Sequence, residues 1–158
     1  MTNVYDFLKM QPETYKQFAC KDLLIALYDC PQSRQREEVF THHSYLTFGV
    51  GGKKWIHREG QTFLFSAGSL SFVRKGGFVQ ELFIGEGFKS LTFYIPDAYL
   101  KQLLQDFRHF YRGNGINKQA KGTILTLAVN ETTKNFLLTI LNGSVEFKRL
   151  CSQIGKVL

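Results

Sequence analysis

Short apolar segments separated by glycine-containing breaks recur through the middle of the chain. The first apolar run is Leu23–Tyr28, and the strand-like segments that follow it are Tyr45–Val50, Lys54–Arg58, Thr62–Phe65, Leu70–Arg74, Phe78–Ile84 and Ser90–Ile95. The breaks between them are Gly51–Gly52, Glu59–Gly60, Ala67–Gly68, Gly76–Gly77 and Gly85–Gly87. Repeated short strands with glycine turns predict an antiparallel barrel or sandwich.

The beginning of the chain lacks this pattern. Residues 1–19 are polar and weakly patterned, with Pro12 in the middle, so we predict a loose N-terminal arm there. Pro31–Glu38 is rich in charge and predicts a polar connection after the first strand. The barrel domain is therefore expected to span residues 20–129.

Helical periodicity replaces strand alternation after Pro96. Apolar residues fall on one face in residues 97–111, which predicts a helix, and a polar loop at 113–121 separates it from a strand at 124–129 that returns to the sheet. Residues 130–158 predict a helical hairpin, with Asn130–Leu141 and Ser144–Leu158 as its two helices and Asn130 as the cap of the first. The second helix reaches the last residue without a capping signal, as expected of a chain cut from a longer protein.

The composition fits one soluble domain. The chain has 158 residues, of which 44% are hydrophobic, 15% aromatic and 21% charged. No run approaches the roughly 18 apolar residues needed to cross a bilayer, and no signal peptide is recognisable. Cys20, Cys30 and Cys151 have no metal-type spacing, and their odd number argues against a disulfide framework. We therefore expect a cytoplasmic protein with reduced thiols and no membrane contact.

The net charge of +7 raises the question of nucleic-acid binding. The basic residues are dispersed, as in Lys53–Lys54, Arg74–Lys75 and Lys118–Lys121, and acidic residues interrupt them. No zinc finger, helix-turn-helix pair or aromatic strand signature accompanies them. Dispersed lysines make only weak, salt-sensitive contacts with phosphates, so direct DNA binding by this chain is not expected.

An ordered set of segments carries a family resemblance. The segments are His42–His43, YLTFGVGGKKWIH (45–57), GQTFLFSAGSLSFVRKGGFV (60–79) and FKSLTFYIPDAYLKQLLQDF (88–107). Over roughly residues 20–141 the chain resembles the cupin barrel, and more closely the N-terminal sensor domain of AraC-type transcription regulators of the ExsA-like subgroup. The resemblance implies a mainly β fold, with a cupin-like (double-stranded β-helix or jelly-roll) barrel followed by C-terminal α-helices. Such regulators also carry a DNA-binding pair of helix-turn-helix motifs, which is absent from these residues.

The ligands of metal-binding cupins are replaced in this sequence. Those proteins carry two histidines and a glutamate on one segment, and a histidine that ends a Pro-x-Gly-x-x-His segment. Here Arg74 stands in the proline place, Val79 in the histidine place, and Tyr45 near the glutamate place. The adjacent His42–His43, if on a strand, would point to opposite faces. We expect no metal, no cofactor and no enzymatic activity; the alternative is a stand-alone small cupin enzyme or a ligand-binding cupin.

Aromatic and polar side chains are expected to line the barrel interior. Every second residue of a strand lies on the same face, and six residues at such positions belong to the predicted ligand site: Tyr45, Thr47, Trp55, His57, Phe63 and Phe65. Arg74 is the seventh residue of the predicted site. An open interior of this kind suits a small organic effector. Small barrels are also often filled by their own side chains, and a filled barrel fits control by a regulatory protein.

The C-terminal hairpin is expected to mediate homodimerisation. Its apolar stripe consists of Phe136, Leu137, Ile140, Phe147, Leu150 and Ile154. An exposed stripe of this size is larger than soluble monomers usually tolerate, and a second copy presenting the same stripe would bury it. The partners implied by the resemblance are a small-molecule effector or regulatory protein, together with DNA and RNA polymerase, which are reached only through the missing domain.

Overall fold

A curled sheet of ten strands forms the body of the protein. The computed structural model describes residues 1–30, 36–83, 85–106, 108, 122–142 and 149. The strands are β1 (Thr2–Asn3), β2 (Gln17–Cys20), β3 (Leu23–Asp29), β4 (Arg36–Thr41), β5 (Ser44–Arg58), β6 (Gln61–Ser66), β7 (Leu70–Val73), β8 (Gly76–Leu82), β9 (Phe88–Ile95) and β10 (Ile124–Leu127). The helices described are α1 (Val4–Lys9), α2 (Asp97–Asp106) and α3 (Glu131–Asn142).

The long strand β5 joins the two parts of the sheet. Its second half pairs with β6 on one side and β8 on the other, and the order continues from β8 through β4 to β1. Its first half pairs with β7 and β9. β7 also pairs with β10, whereas β9 also pairs with β3, which in turn pairs with β2. All of these pairings are antiparallel except that of β1 with β4. Because β5 belongs to both parts, the sheet curls around an interior.

The prediction of two strands within residues 45–58 is wrong, because β5 runs through the glycines. The pairing with β9 is shifted between Gly49 and Gly51, which marks a β-bulge and not a hairpin turn. A Cβ atom on Gly49 would lie 2.0 Å from the carbonyl oxygen of Ser66. Gly52 has a φ of +69°, which favours glycine. Close backbone packing and a left-handed residue therefore explain why glycines interrupt this strand.

The expectation of a loose N-terminal arm is also wrong. β1 and β2 join opposite edges of the sheet, and α1 lies between them in the chain. Asn3 caps α1, since its side-chain oxygen accepts a hydrogen bond from the backbone N–H of Tyr5 at 3.2 Å. Val4, Tyr5 and Leu8 are at most 8% exposed and belong to the interior core. Burial of one face of α1 therefore fixes this segment inside the curl of the sheet.

Two apolar clusters lie on opposite faces of the sheet. The interior cluster joins α1 to inward-facing residues of the strands, and the outer cluster joins α3 to outward-facing ones. In β3, Leu24 and Ala26 face the interior while Ile25 packs in the outer cluster. A strand buried on both faces is apolar at nearly every position. This double burial explains the continuous run that predicted the first strand.

Other elements differ from the prediction at their limits. The end of the predicted polar connection at residues 31–38 belongs to β4, whose alternate positions Val39 and Thr41 are buried. The predicted returning strand is confirmed as β10, which pairs with β7. Asn130 caps α3 as predicted, since its side chain accepts a hydrogen bond from the N–H of Thr133 at 2.8 Å. The end of the predicted helix 97–111, and all of the second hairpin helix except residue 149, lie outside the described residues.

Candidate functional site

A small cavity lies in the interior of the curled sheet. Its volume is about 20 Å³, which gives room for about one water molecule. The side chains that line it come from α1 and from five strands: Val4, Tyr28, Tyr45, Thr47, Lys54, Phe65, Phe78, Gln80, Ser90, Thr92 and Tyr94. The described side chains therefore leave little free space at this point of the interior.

Lys54 brings a charged group into this lining. The residue lies on β5 after the bulge, points inward, and is 6% exposed. Its ammonium donates a hydrogen bond to Gln80 Oε1 at 3.2 Å. The Nζ atom lies 4.8 Å from the ring centroid of Phe88 and 5.8 Å from that of Tyr28, within the range of cation–π contacts. One neutral amide and two aromatic rings thus surround the ammonium.

The ion pairs of the described residues do not include Lys54. The nearest carboxylate in its hydrogen-bond chain is one step away, because Gln80 Nε2 donates to Glu37 Oε2 at 3.4 Å. The Cys30 thiol lies 4.0 Å from the Gln80 oxygen that accepts from Lys54. Burial lowers the pKa of Lys54, and the nearby Cys30 opposes this effect only in part. Lysines are almost never fully buried unless paired, and such groups concentrate at functional sites.

Hydroxyl groups form the polar part of the remaining lining. The Thr47 and Thr92 hydroxyls are 3.0 Å apart, and the Ser90 hydroxyl lies 3.2 Å from that of Thr92. The rings of Tyr45 and Tyr94 lie 5.3 Å apart. Burial raises the pKa of both phenols, so they keep their protons at neutral pH. The interior therefore combines one basic group with hydroxyls that can donate hydrogen bonds.

Part of the predicted ligand site is assembled in the interior. Tyr45, Thr47 and Phe65 line the cavity. Phe63 is half-buried and packs against the interior cluster. These residues belong to β5 and β6.

Trp55 and His57 do not face the interior, contrary to the prediction. The bulge at Gly49–Gly51 adds one residue to β5, so the inward positions change from odd numbers before it to even numbers after it. Lys54 and Ile56 therefore point inward in place of their neighbours. Sequence reasoning missed Lys54 for this reason. The glycine cluster inside a strand-like segment was the signal that could have revealed the shift.

The outward-facing residues make contacts of their own on the other face of β5. The Trp55 ring lies 5.6 Å from that of Phe83. His57 Nε2 lies 2.9 Å from Glu81 Oε2, and its Nδ1 lies 2.9 Å from the Thr62 hydroxyl. These neighbouring-strand contacts explain both residues without a ligand.

Arg74, the last member of the predicted site, is exposed at the corner between β7 and β8. Its carbonyl oxygen, and that of Lys75 at 2.9 Å, accept hydrogen bonds from the guanidinium of Arg58. Lys75 in turn pairs with Asp97 at the start of α2, and its ammonium lowers the pKa of that carboxyl. Arg74 and Lys75 therefore stabilise the corner between β7 and β8 and do not line the cavity.

The positions compared with cupin metal ligands lie apart from one another. Tyr45 faces the interior, whereas Val79 lies opposite His57 on the outer face. His42 and His43 follow β4 and are not on a strand. Among the described residues, no group of three or more histidines, cysteines, aspartates or glutamates is arranged to hold a metal ion.

The two adjacent histidines pack together, contrary to the expected opposite orientation. Their rings are 4.3 Å apart, and each meets the ring of Tyr5 edge-on, at 4.9 Å for His42 and 4.7 Å for His43. The amide nitrogen of Asn3 lies 2.6 Å from His42 Nδ1. Partial burial and the neighbouring His42 lower the pKa of His43. This pair therefore contributes to the contact with α1.

The residues predicted to form the dimer stripe divide into two groups. Leu137 and Ile140 are buried in the outer cluster against the sheet, while Phe136 is 50% exposed. Phe147, Leu150 and Ile154 lie outside the described residues. In the part of the chain that the structure describes, no helix has the length and apolar character needed to span a bilayer.

The fold is similar to those of solved protein structures. The chain is similar to ToxT of Vibrio cholerae, an AraC-family protein, both in an apo form and with a bound unsaturated fatty acid. The TM-score is 0.55 and the identity 14% in both cases, and the matches cover 84% and 85% of this chain but 52% and 51% of the ToxT chains. This chain thus spans about half the length of ToxT. A cupin-2 protein of Shewanella frigidimarina has a TM-score of 0.41 at 14% identity, with 52% of this chain and 79% of that chain covered.

Sequence comparison gives the family. No curated protein matches the chain. The profile of the ExsA N-terminal regulatory domain matches residues 44–150, which is more than half of the chain. The expected mainly β fold is confirmed, and so is the resemblance to AraC-type sensor domains. The chain belongs to the ExsA N-terminal regulatory domain family.

Proposed function

We propose that this regulatory domain senses an effector or a partner protein and dimerises, and thereby controls an AraC-type transcription regulator. The observation that carries the proposal is the family match across residues 44–150. That range begins at β5 and includes α3 and four of the five cavity-lining strands, while β3 and α1 precede it. Contact with DNA and RNA polymerase would be made through a DNA-binding domain outside these residues, in the cytoplasm.

A reporter fusion tests the regulatory role. The chain is joined to a DNA-binding domain that represses a reporter only as a dimer, and repression is measured in cells that express the fusion. We expect repression well above that of the DNA-binding domain alone. Equal reporter output with and without this chain, at equal protein levels, would contradict the proposal.

The exposed apolar part of α3 supports dimerisation through the C-terminal helices. Phe136 is 50% exposed and Leu138 36% exposed, so α3 leaves apolar surface outside its contact with the sheet. Phe136→Glu and Ile154→Glu should each give a folded monomer, since burying an unpaired charge in an interface costs several kcal/mol, roughly. Lys134→Glu, on the same helix and exposed, is the matched control. Sedimentation would contradict dimerisation if the wild type were monomeric at high concentration, and glutamate variants that stay dimeric would place the contact elsewhere.

A role without enzymatic activity accompanies this proposal. The alternative of a stand-alone small cupin enzyme needs a metal site, and no described cluster of ligand side chains supports one. Elemental analysis of protein purified without an affinity tag checks this point. About one equivalent of iron, zinc, manganese or nickel per chain would favour the enzyme.

The nature of the signal depends on the interior. The ToxT structure with an unsaturated fatty acid raises the question of an acidic effector for this chain. Here the cavity has room for about one water molecule, and Val4 of α1 is part of its wall. A large effector would therefore require α1 to move, whereas a partner protein or a very small ligand would not.

A further inference from the structure

Lys54 carries a charge into the interior that no described side chain neutralises. The residue is 6% exposed, and its hydrogen bond goes to the neutral amide of Gln80. Removing an ammonium from water without a counter-charge is strongly unfavourable. Either the amine loses its proton or an anion lies beside it. The second case makes a specific demand on the surroundings, because an anion needs space and hydrogen-bond donors.

The cavity beside Lys54 meets that demand for a small anion. Its volume of about 20 Å³ accommodates a group the size of one water molecule or slightly larger. The hydroxyls of Thr47, Ser90 and Thr92 line the same space. Two hydrogen bonds join these three hydroxyls, so one of their three protons is left to donate to an anion. Lys54 is the charged residue among the lining side chains, so the charge of the site matches a monovalent anion better than a divalent one.

We propose that the cavity beside Lys54 binds a small inorganic monovalent anion of about the size of chloride. Its role as the signal of this domain rests on the proposed function. Val4 lines the cavity and Leu8 packs in the same interior cluster. An organic acid is larger than the cavity, so it would have to displace these α1 side chains.

Thermal denaturation with a matched pair of variants tests the site. Wild type, Lys54→Met and Lys53→Met are heated in sodium gluconate, whose anion is too large for the cavity, with chloride, acetate or octanoate substituted at constant ionic strength. Lys53 is the control because it is the neighbouring residue on the outer face, where it contacts Glu86 and Phe83. We expect the Tm of wild type and Lys53→Met to rise by about 3 °C or more at saturating anion. Lys54→Met should show no rise, and its affinity measured by calorimetry should fall at least tenfold.

The outcomes separate the sources of the anion. A rise with chloride and none with acetate or octanoate supports a site for a small inorganic ion. A rise with acetate or octanoate as large as that with chloride would contradict the size of the site and would mean that α1 is displaced. No anion-specific rise in wild type, or an equal rise in Lys54→Met, would overturn the site and leave Lys54 as a neutral amine. Lys54→Gln repeats the test if the methionine variant does not fold. Anion binding that persists while the reporter fusion fails would retain the site and reject only its regulatory role.

Discussion

The helices α1 and α3 cover opposite faces of one sheet in different ways. The six residues of α1 lie inside the curl, and Val4, Tyr5 and Leu8 are all buried. The Tyr5 hydroxyl donates to the carbonyl oxygen of Asp22 at 2.9 Å and accepts from the Lys9 ammonium at 3.1 Å. The helix is thus attached both by apolar packing and by polar contacts.

The twelve residues of α3 bury less of themselves. Leu137 and Ile140 are buried against the outer face, whereas Phe136 is half-exposed. An isolated helix of six residues is not stable in water, so α1 exists because the interior holds it. The comparison teaches that α1 is part of the core, while α3 is a cover that keeps apolar surface for other contacts.

The largest effect is expected from shortening a core residue of α1. Leu8 is 0% exposed, so Leu8→Ala removes a packed side chain and leaves a cavity in the interior cluster. We expect the free energy of unfolding to fall by about 3–5 kcal/mol. Chemical denaturation measures it, with the 81% exposed Met10 changed to alanine as the control. A loss below 1 kcal/mol, roughly the effect of a surface change, would mean that α1 is not part of the core.

The same truncation in α3 should have a smaller effect. Leu137 is 2% exposed, but it packs at the outer cluster, where the neighbouring side chains can collapse toward the sheet. For Leu137→Ala we expect a loss of about 2–3 kcal/mol in the same denaturation experiment. Leu138→Ala, at a 36% exposed position, is the control. If Leu137→Ala proved as damaging as Leu8→Ala, the distinction between core helix and cover would fail.

The buried charge of Lys54 lowers the stability of the fold, so replacing it with an apolar side chain should raise that stability. We expect Lys54→Met to raise the free energy of unfolding by about 1–3 kcal/mol at pH 7, since apolar replacement of a buried charge is often stabilising. Denaturation is measured in gluconate so that no small anion contributes, with Lys53→Met as the control. A destabilised Lys54→Met would mean that the contact with Gln80 outweighs the burial penalty.

The pH dependence of this effect follows from the lowered pKa of Lys54. Below that pKa the folded and unfolded chains both carry the proton, and wild type bears the full penalty of burying the charge. Between the lowered pKa and the ordinary lysine value of 10.5, the unfolded chain binds more protons than the folded one. The free energy of unfolding of wild type therefore rises with pH across that window. The advantage of Lys54→Met should shrink accordingly, and a constant difference up to pH 10.5 would contradict the assignment.

The strands of the sheet could be predicted where alternation or a long apolar run is strong, as in β3 and β9. β4 was missed because its outward side chains, Arg36 and Glu38, are charged and hide the buried Val39 and Thr41. α1 was missed because six residues with a single buried face carry too little periodicity to distinguish a helix from a loop. In both cases the decisive interaction is made with residues distant in sequence.

Strand alternation describes the lining only up to the bulge. Tyr45 and Thr47, which precede the shift in β5, line the cavity. Counting every second residue across Gly49–Gly51 selected Trp55 and His57, and passed over Lys54. A lysine is also the side chain that composition alone assigns to the surface. Backbone approach to residues around 66 and 87 fixes the bulge, and this contact is not visible in the local sequence.

The smallest of these effects concerns the beginning of α3. Asn130 accepts a hydrogen bond from the N–H of Thr133 at 2.8 Å, which satisfies one of the free donors of the first turn. Asn130→Ala removes this acceptor, and we expect the free energy of unfolding to fall by about 1 kcal/mol. The control is Thr132→Ala, an exposed change in the same turn. Because α3 buries few side chains, loss of the cap should also loosen its first turn, which amide hydrogen exchange would detect as faster exchange at Thr133 and Lys134. Unchanged exchange there would show that packing of Leu137 and Ile140 alone holds α3, and the contrast with α1 would then lie only in the face of the sheet that each helix covers.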